Sequence, residues 1–122
     1  MTDIRSVKDA EDIDELAAMY LEILGRRIYD NAVAHGFWDN ERNDGEMIAL
    51  MHSELSEALE GLRHDNPPSE HIPEFTAVEE EFADLIIRVL DMCHARNIRL
   101  TDAIVAKMKF NATRPRMHGK KF

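Results

Sequence analysis

Apolar residues return along this chain every three or four positions, and no stretch alternates at every second one, so the pattern predicts helices and no strands. The first stripe is Ile13, Leu16, Ala17, Tyr20, Ile23, Leu24 and Ile28, with Asp12 and Glu15 spaced as a capping box before it and Gly36 ending it after His35. Phe37 to Asp44 carries no period and reads as a loop, with Asp44 placed to cap the next helix. A second helix is predicted from Gly45 to His64, with Ile48, Met51, Leu55, Ala58, Leu59 and Leu62 as its apolar face. Asp65-Asn-Pro-Pro-Ser69 breaks it, and Pro73 stands where a first helical turn tolerates proline. The third helix, Glu74 to Ala95, shows Val78, Phe82, Leu85, Ile86, Val89 and Cys93 on one side. After a turn at Asn97, Thr101 is placed to cap a fourth helix from Asp102 to Asn111, and Pro115 and Gly119 stop regular structure. Both central stripes are expected to be buried. The fold class expected is all-α, one domain over residues 1–122 with four helices, helices two and three antiparallel, and irregular ends at 1–11 and 112–122.

Two carboxylate pairs of the same form interrupt the central helices, Glu54-Leu-Ser-Glu57 and Glu81-Phe-Ala-Asp84. Residues three apart on a helix point to one side, so each pair is a two-pronged oxygen donor. Both pairs lie at the same angular offset from their apolar stripes, roughly 100° and 160° at the helical period. On the first helix the acids share their sector with Met47, Leu50 and Gly61, which implies a half-buried position. Carboxylates gathered in a partly dry place repel one another and take up protons unless a cation lies between them. Oxygen-only ligands suit Mg²⁺, Mn²⁺ or Ca²⁺, and Mg²⁺ meets proteins through a few carboxylates plus substrate phosphate oxygens. The competing reading is a solvated face, since either spacing alone is ordinary in a chain with 32% charged residues. The matched phase of the two pairs favours a shared metal centre of Glu54, Glu57, Glu81 and Asp84.

The net charge of −9 conceals an asymmetry that narrows the ligand. Residues 1–106 hold all 24 acids and nine of the 15 bases, while residues 107–122 hold six bases and no acid. An acidic body disfavours polymeric nucleic acid, and a small polyanion held between a metal and a cationic arm fits better. Lys107, Asn111 and Arg114 fall on one helical face, and Lys120 follows in the tail; together they are candidate phosphate or nucleotide contacts. A basic helix end complementing the macrodipole is the plainer account of the same residues. Trp38 is a candidate for stacking on a base, against the commoner role of an aromatic core anchor. The lone Cys93 excludes an internal disulfide. No 18-residue apolar run and no signal-like N-terminus is present, so no membrane partner and a cytoplasmic location are expected.

In order and spacing, Glu54-x-x-Glu57, Glu81-x-x-Asp84, Lys107-x-x-x-Asn111-x-x-Arg114-Pro115 and His118-Gly119-Lys120-Lys121-Phe122 resemble the motifs of the MazG-like nucleoside triphosphate pyrophosphohydrolases. These all-α enzymes are grouped with dimeric dUTPases and phosphoribosyl-ATP pyrophosphohydrolases. The resemblance implies a MazG-like bundle completed by oligomerisation, as a homodimer or homotetramer. It also implies Mg²⁺-dependent hydrolysis of a (deoxy)nucleoside triphosphate to the monophosphate and pyrophosphate, a nucleotide-pool housecleaning reaction. Metal binding is carried onto Glu54, Glu57, Glu81 and Asp84, and phosphate or nucleotide contact onto Lys107, Asn111 and Arg114. Some relatives have an acid immediately before the first motif glutamate, where this chain has Ser53. Glu57 is the choice for the base that activates water. A different class also fits: a catalytically silent helical module that senses metal or binds partners.

Overall fold

The computed structural model describes residues 9–122, and four α-helices account for most of them: α1 Ala10–Ala34, α2 Asp44–Arg63, α3 Ala77–Arg96 and α4 Leu100–Ala112. A short 3₁₀ turn, Arg116–Gly119, follows α4. No strand occurs among the described residues; an isolated bridge joins Pro68 to Thr76. The fold class is therefore all-α. No helix among the described residues is long and apolar enough to cross a membrane. Of the N-terminal end expected to be irregular, residues 1–8 lie outside the described residues, and Ala10 and Glu11 are already helical, as is Ala112 at the other end.

Two compact units divide the chain: the described part of Met1–Leu24 together with Ile98–Phe122, and Gly25–Asn97. In the second unit α2 and α3 pack antiparallel. Asp44 at the start of α2 meets Arg96 at the end of α3 at 2.9 Å, Glu54 meets Arg88 at 2.9 Å, and Gly61 lies against Ala77. Gly61 suits this approach, because a Cβ there would stand 3.2 Å from the Ala77 Cβ and force a shift of a few tenths of an ångström. The buried residues of this unit are Gly25, Met47, Glu54, Ala58, Ser69, Leu90, Asp91 and Met92. In the first unit the start of α1 lies along α4, where the buried Thr101 donates its hydroxyl to Glu22 at 2.8 Å.

The apolar stripes of the two central helices do not form the contact between them. Ile48, Leu55, Leu59, Leu62, Phe82 and Ile86 remain 46–57% exposed, and of both stripes Ala58 alone is buried. The reason is steric. Ala58 and Gly61 make the neighbouring face of α2 the one that allows a close backbone approach, and Met47 and Glu54 lie on that face with them. The half-buried sector inferred for the acids is thus the packed face.

Helix starts also differ from the sequence reading. Asn43, one residue before Asp44, has the extended backbone of a cap and accepts the Glu46 N–H at 2.9 Å. Asp9 accepts the Asp12 N–H at 2.9 Å, so α1 opens ahead of the Asp12–Glu15 spacing. Thr76 and Glu79 form a complete capping box for α3, while the stretch containing Pro73 belongs to a turn ending in Phe75. Thr101 is inside α4, which begins after Arg99 without a side-chain cap.

Candidate metal centre

The helical phase of α2 and α3 decides which acids meet. Glu54, Glu57 and Glu81 each offer a carboxylate oxygen within 4.8 Å of the other two. Glu54 is buried at 6% exposure, Glu81 is half-buried and Glu57 is exposed, so the cluster runs from the helix interface out to solvent. Asp84, one turn further along α3, lies outside that cluster and is half-buried.

A buried carboxylate needs compensation, and Glu54 receives half of it. Arg88 Nε donates to Glu54 Oε1 at 2.9 Å. Glu54 Oε2 is buried with no hydrogen-bond partner, and Glu81 Oε2 is in the same state. Native interiors seldom leave such atoms unpaired, and two of them from facing helices ask for a shared proton or a shared cation. Burial, then contacts with Glu54 and Glu57 and their charges, push the Glu81 carboxyl up to about 8. Contacts between carboxyl groups are hydrogen bonds only while one of them holds a proton. Asp84 is raised as well, by burial first and then by the Glu54 charge, with Arg88 acting in the opposite direction. The donor set is all oxygen and meets without a competing Lys inside the cluster, which fits Mg²⁺ or Mn²⁺.

Beside these acids a polar clasp fixes the loop before α3. The buried Ser69 donates to Glu80 Oε2 at 2.9 Å and accepts the N–H groups of His71 and Ile72. His71 Nδ1 lies 2.6 Å from Glu80 Oε1. That bond, and the Glu80 charge, raise the His71 pKa, and the same bond with that of Ser69 lowers Glu80.

The other sequence candidates are placed as follows. Trp38 is half-buried; its indole N–H donates to the buried Asp91 at 3.0 Å, and the Arg42 and Arg96 guanidinium carbons stand 4.8 and 5.5 Å from its ring centre. Tyr29 lies 5.9 Å away, and Arg42 also meets Asp91 at 3.5 Å. These contacts tie the α1–α2 loop to the end of α3. Lys107 and Arg114 converge on one ring, that of Phe110, at 4.7 and 5.5 Å. Asn111 is half-buried with an unpartnered Oδ1, and Lys120 is exposed after the 3₁₀ turn. Cys93 is a free, half-buried thiol whose pKa burial raises, in keeping with a packing role.

Arg88, the side chain that holds the buried Glu54, belongs to none of the motifs. Its signal was present, since it stands seven residues after Glu81 and four after Asp84 on the same helical face. Within the first unit a cavity of about 510 Å³ between α1 and α4 is lined by Glu11, Asp14, Glu15, Glu22, Asp102 and Lys109 among others. All six of these side chains are on exposed or half-buried residues. Comparison of the chain with protein-family models, with curated proteins and with solved structures finds no match.

Proposed function

We propose that this chain is a Mg²⁺-dependent nucleotide pyrophosphohydrolase of the MazG-like kind, cleaving a (deoxy)nucleoside triphosphate to the monophosphate and pyrophosphate. The observation that carries the reading is the meeting of Glu54, Glu57 and Glu81 with two buried carboxylate oxygens that have no partner. Glu54 and Glu81 would hold the ion from the packed side, with Asp84 one turn away on α3 to support it. When bound, the divalent ion neutralises phosphate charge and makes a coordinated water more acidic. Glu57, the exposed member, is the group that reaches a water molecule, orients it and takes its proton. No covalent nucleophile is needed for phosphoryl transfer to water.

Lys107, Asn111, Arg114 and Lys120 are assigned to the phosphates or the nucleotide. They belong to a segment with six bases and no acid, which suits phosphates, and the unpaired Asn111 Oδ1 is an acceptor that a nucleotide N–H or O–H satisfies and a phosphate oxygen does not. Assembly as a homodimer or homotetramer is part of the same proposal, supported by the exposed apolar stripes of α2 and α3. The experiment is pyrophosphate release from a panel of canonical and damaged nucleoside triphosphates with Mg²⁺. Release that disappears in Glu54→Ala and Asp84→Ala, with helical content unchanged, is the expected result. Absence of release from every member of the panel, by a folded protein, overturns the reading.

A further inference from the structure

Arg88 is the cation bonded to the buried acid of the centre, and most of its hydrogen-bonding capacity is unused. A guanidinium has five N–H donors in a flat fork. Arg88 commits one, Nε, to the buried Glu54 Oε1, and its two terminal nitrogens make no hydrogen bond among the described residues. Its side chain is 35% exposed, whereas the carboxylate it holds is 7% exposed, so the residue reaches from the dry end of the cluster to solvent. Arg42 and Arg96 differ. Arg42 pairs with Asp91, and Arg96 with Asp44 and the Arg42 carbonyl, so both are tied into loop anchoring. Asp84 stands one turn before Arg88 on the same face, yet no hydrogen bond joins them. A fork held at one edge, open at the other and placed beside a site for a divalent cation has the geometry that receives phosphate oxygens.

We propose that Arg88 is a contact residue for a phosphate-bearing ligand of this centre, holding Glu54 through Nε while its terminal nitrogens take ligand oxygens. The proposal rests on the metal-centre reading and adds to it a phosphate contact from α3 itself. Lysine separates the two tasks: a single ammonium keeps the charge and a donor for Glu54 but offers no fork.

The test uses the full chain and two titrations, Mn²⁺ alone and then pyrophosphate at saturating Mn²⁺, on wild type, Arg88→Lys and Arg88→Gln. In Arg88→Lys, Mn²⁺ affinity is expected to stay within about threefold of wild type while pyrophosphate binds about tenfold more weakly. Arg88→Gln, which keeps an uncharged donor, is expected to lose at least as much pyrophosphate affinity and serves if the lysine variant does not fold. Pyrophosphate affinity equal to wild type in both variants overturns the proposal. So does a loss of pyrophosphate affinity no larger than the loss of Mn²⁺ affinity, which would confine Arg88 to positioning Glu54. Wild-type protein that takes up no Mn²⁺ would instead refute the metal centre, a result readable before any variant is made.

Discussion

Acids gather in two places in this molecule, and they are physically different. Along the cavity between α1 and α4, Glu11, Glu15, Glu22 and Asp102 are exposed and Asp14 is half-buried, with Lys109 4.0 Å from Glu11. Between α2 and α3, Glu54 is buried, Glu81 is half-buried and each keeps an oxygen with no partner. The first group has more carboxylates and lines a cavity, and water screens its charges at little cost. The second has fewer, but each unpaired oxygen is desolvated, so a cation binding there recovers interaction that water does not already supply. Burial, not acid count, marks the candidate site.

Removing charge from each group should separate them most widely. Glu54→Gln is expected to weaken Mn²⁺ binding by about 100-fold or more, whereas Glu15→Gln changes it by less than about twofold. Isothermal titration of both variants reads the difference, and equal effects would erase the distinction.

Closeness of α2 and α3 is the next point of attack, because it is what dries Glu54. Gly61→Leu places a Cβ 3.2 Å from that of Ala77, which moves only with its helix, and adds three further carbons beyond it. A loss of about 2 kcal/mol in urea unfolding is expected, together with weaker Mn²⁺ binding. A variant as stable as wild type would mean that the helices are not held at this distance.

Proton linkage sharpens the contrast further. Glu81 is pushed up to about 8 from 4.5, so in the metal-free protein it binds a proton that the unfolded chain has released. The stability it contributes is full below about pH 4.5 and is lost as pH rises through about 8. His71, raised from 6.5 by Glu80, and Asp84, raised from 3.8 by burial, tilt stability the same way, so a background of His71→Asn with Asp84→Asn is the one in which to read the glutamate. Mn²⁺ displaces that proton, so its affinity should climb by about tenfold per pH unit up to the Glu81 pKa. A flat profile between pH 6 and about 8 would contradict the raised carboxyl. At the exposed group the smallest effect is expected: Lys109→Gln should alter stability by less than about 0.5 kcal/mol, measured by thermal melting.

The all-α fold was legible because the apolar period is helical throughout and the breakers at Gly36, Pro67-Pro68 and Asn97 are strong. The acids were legible because their spacing matched on two helices. The packing face was not. Leu55 and Leu59 outrank Ala58 and Gly61 in hydrophobicity, but two helices close most tightly where side chains are smallest, and pattern reading weighs apolarity rather than size. Asp84 illustrates a second limit: the angular offset of a carboxylate is set by its own helix, whereas its reach across the interface depends on axial register. Register is fixed here by pairs such as Asp44–Arg96 and by the Gly61–Ala77 approach, none of which carries a local signal.

Crystals soaked in Mn²⁺ and measured at the manganese absorption edge test the central claim most directly. The account predicts an anomalous peak where the carboxylates of Glu54, Glu57 and Glu81 meet, absent from Glu54→Gln crystals. Strong peaks confined to the exposed acids along α1 and α4, with none between α2 and α3, would contradict it.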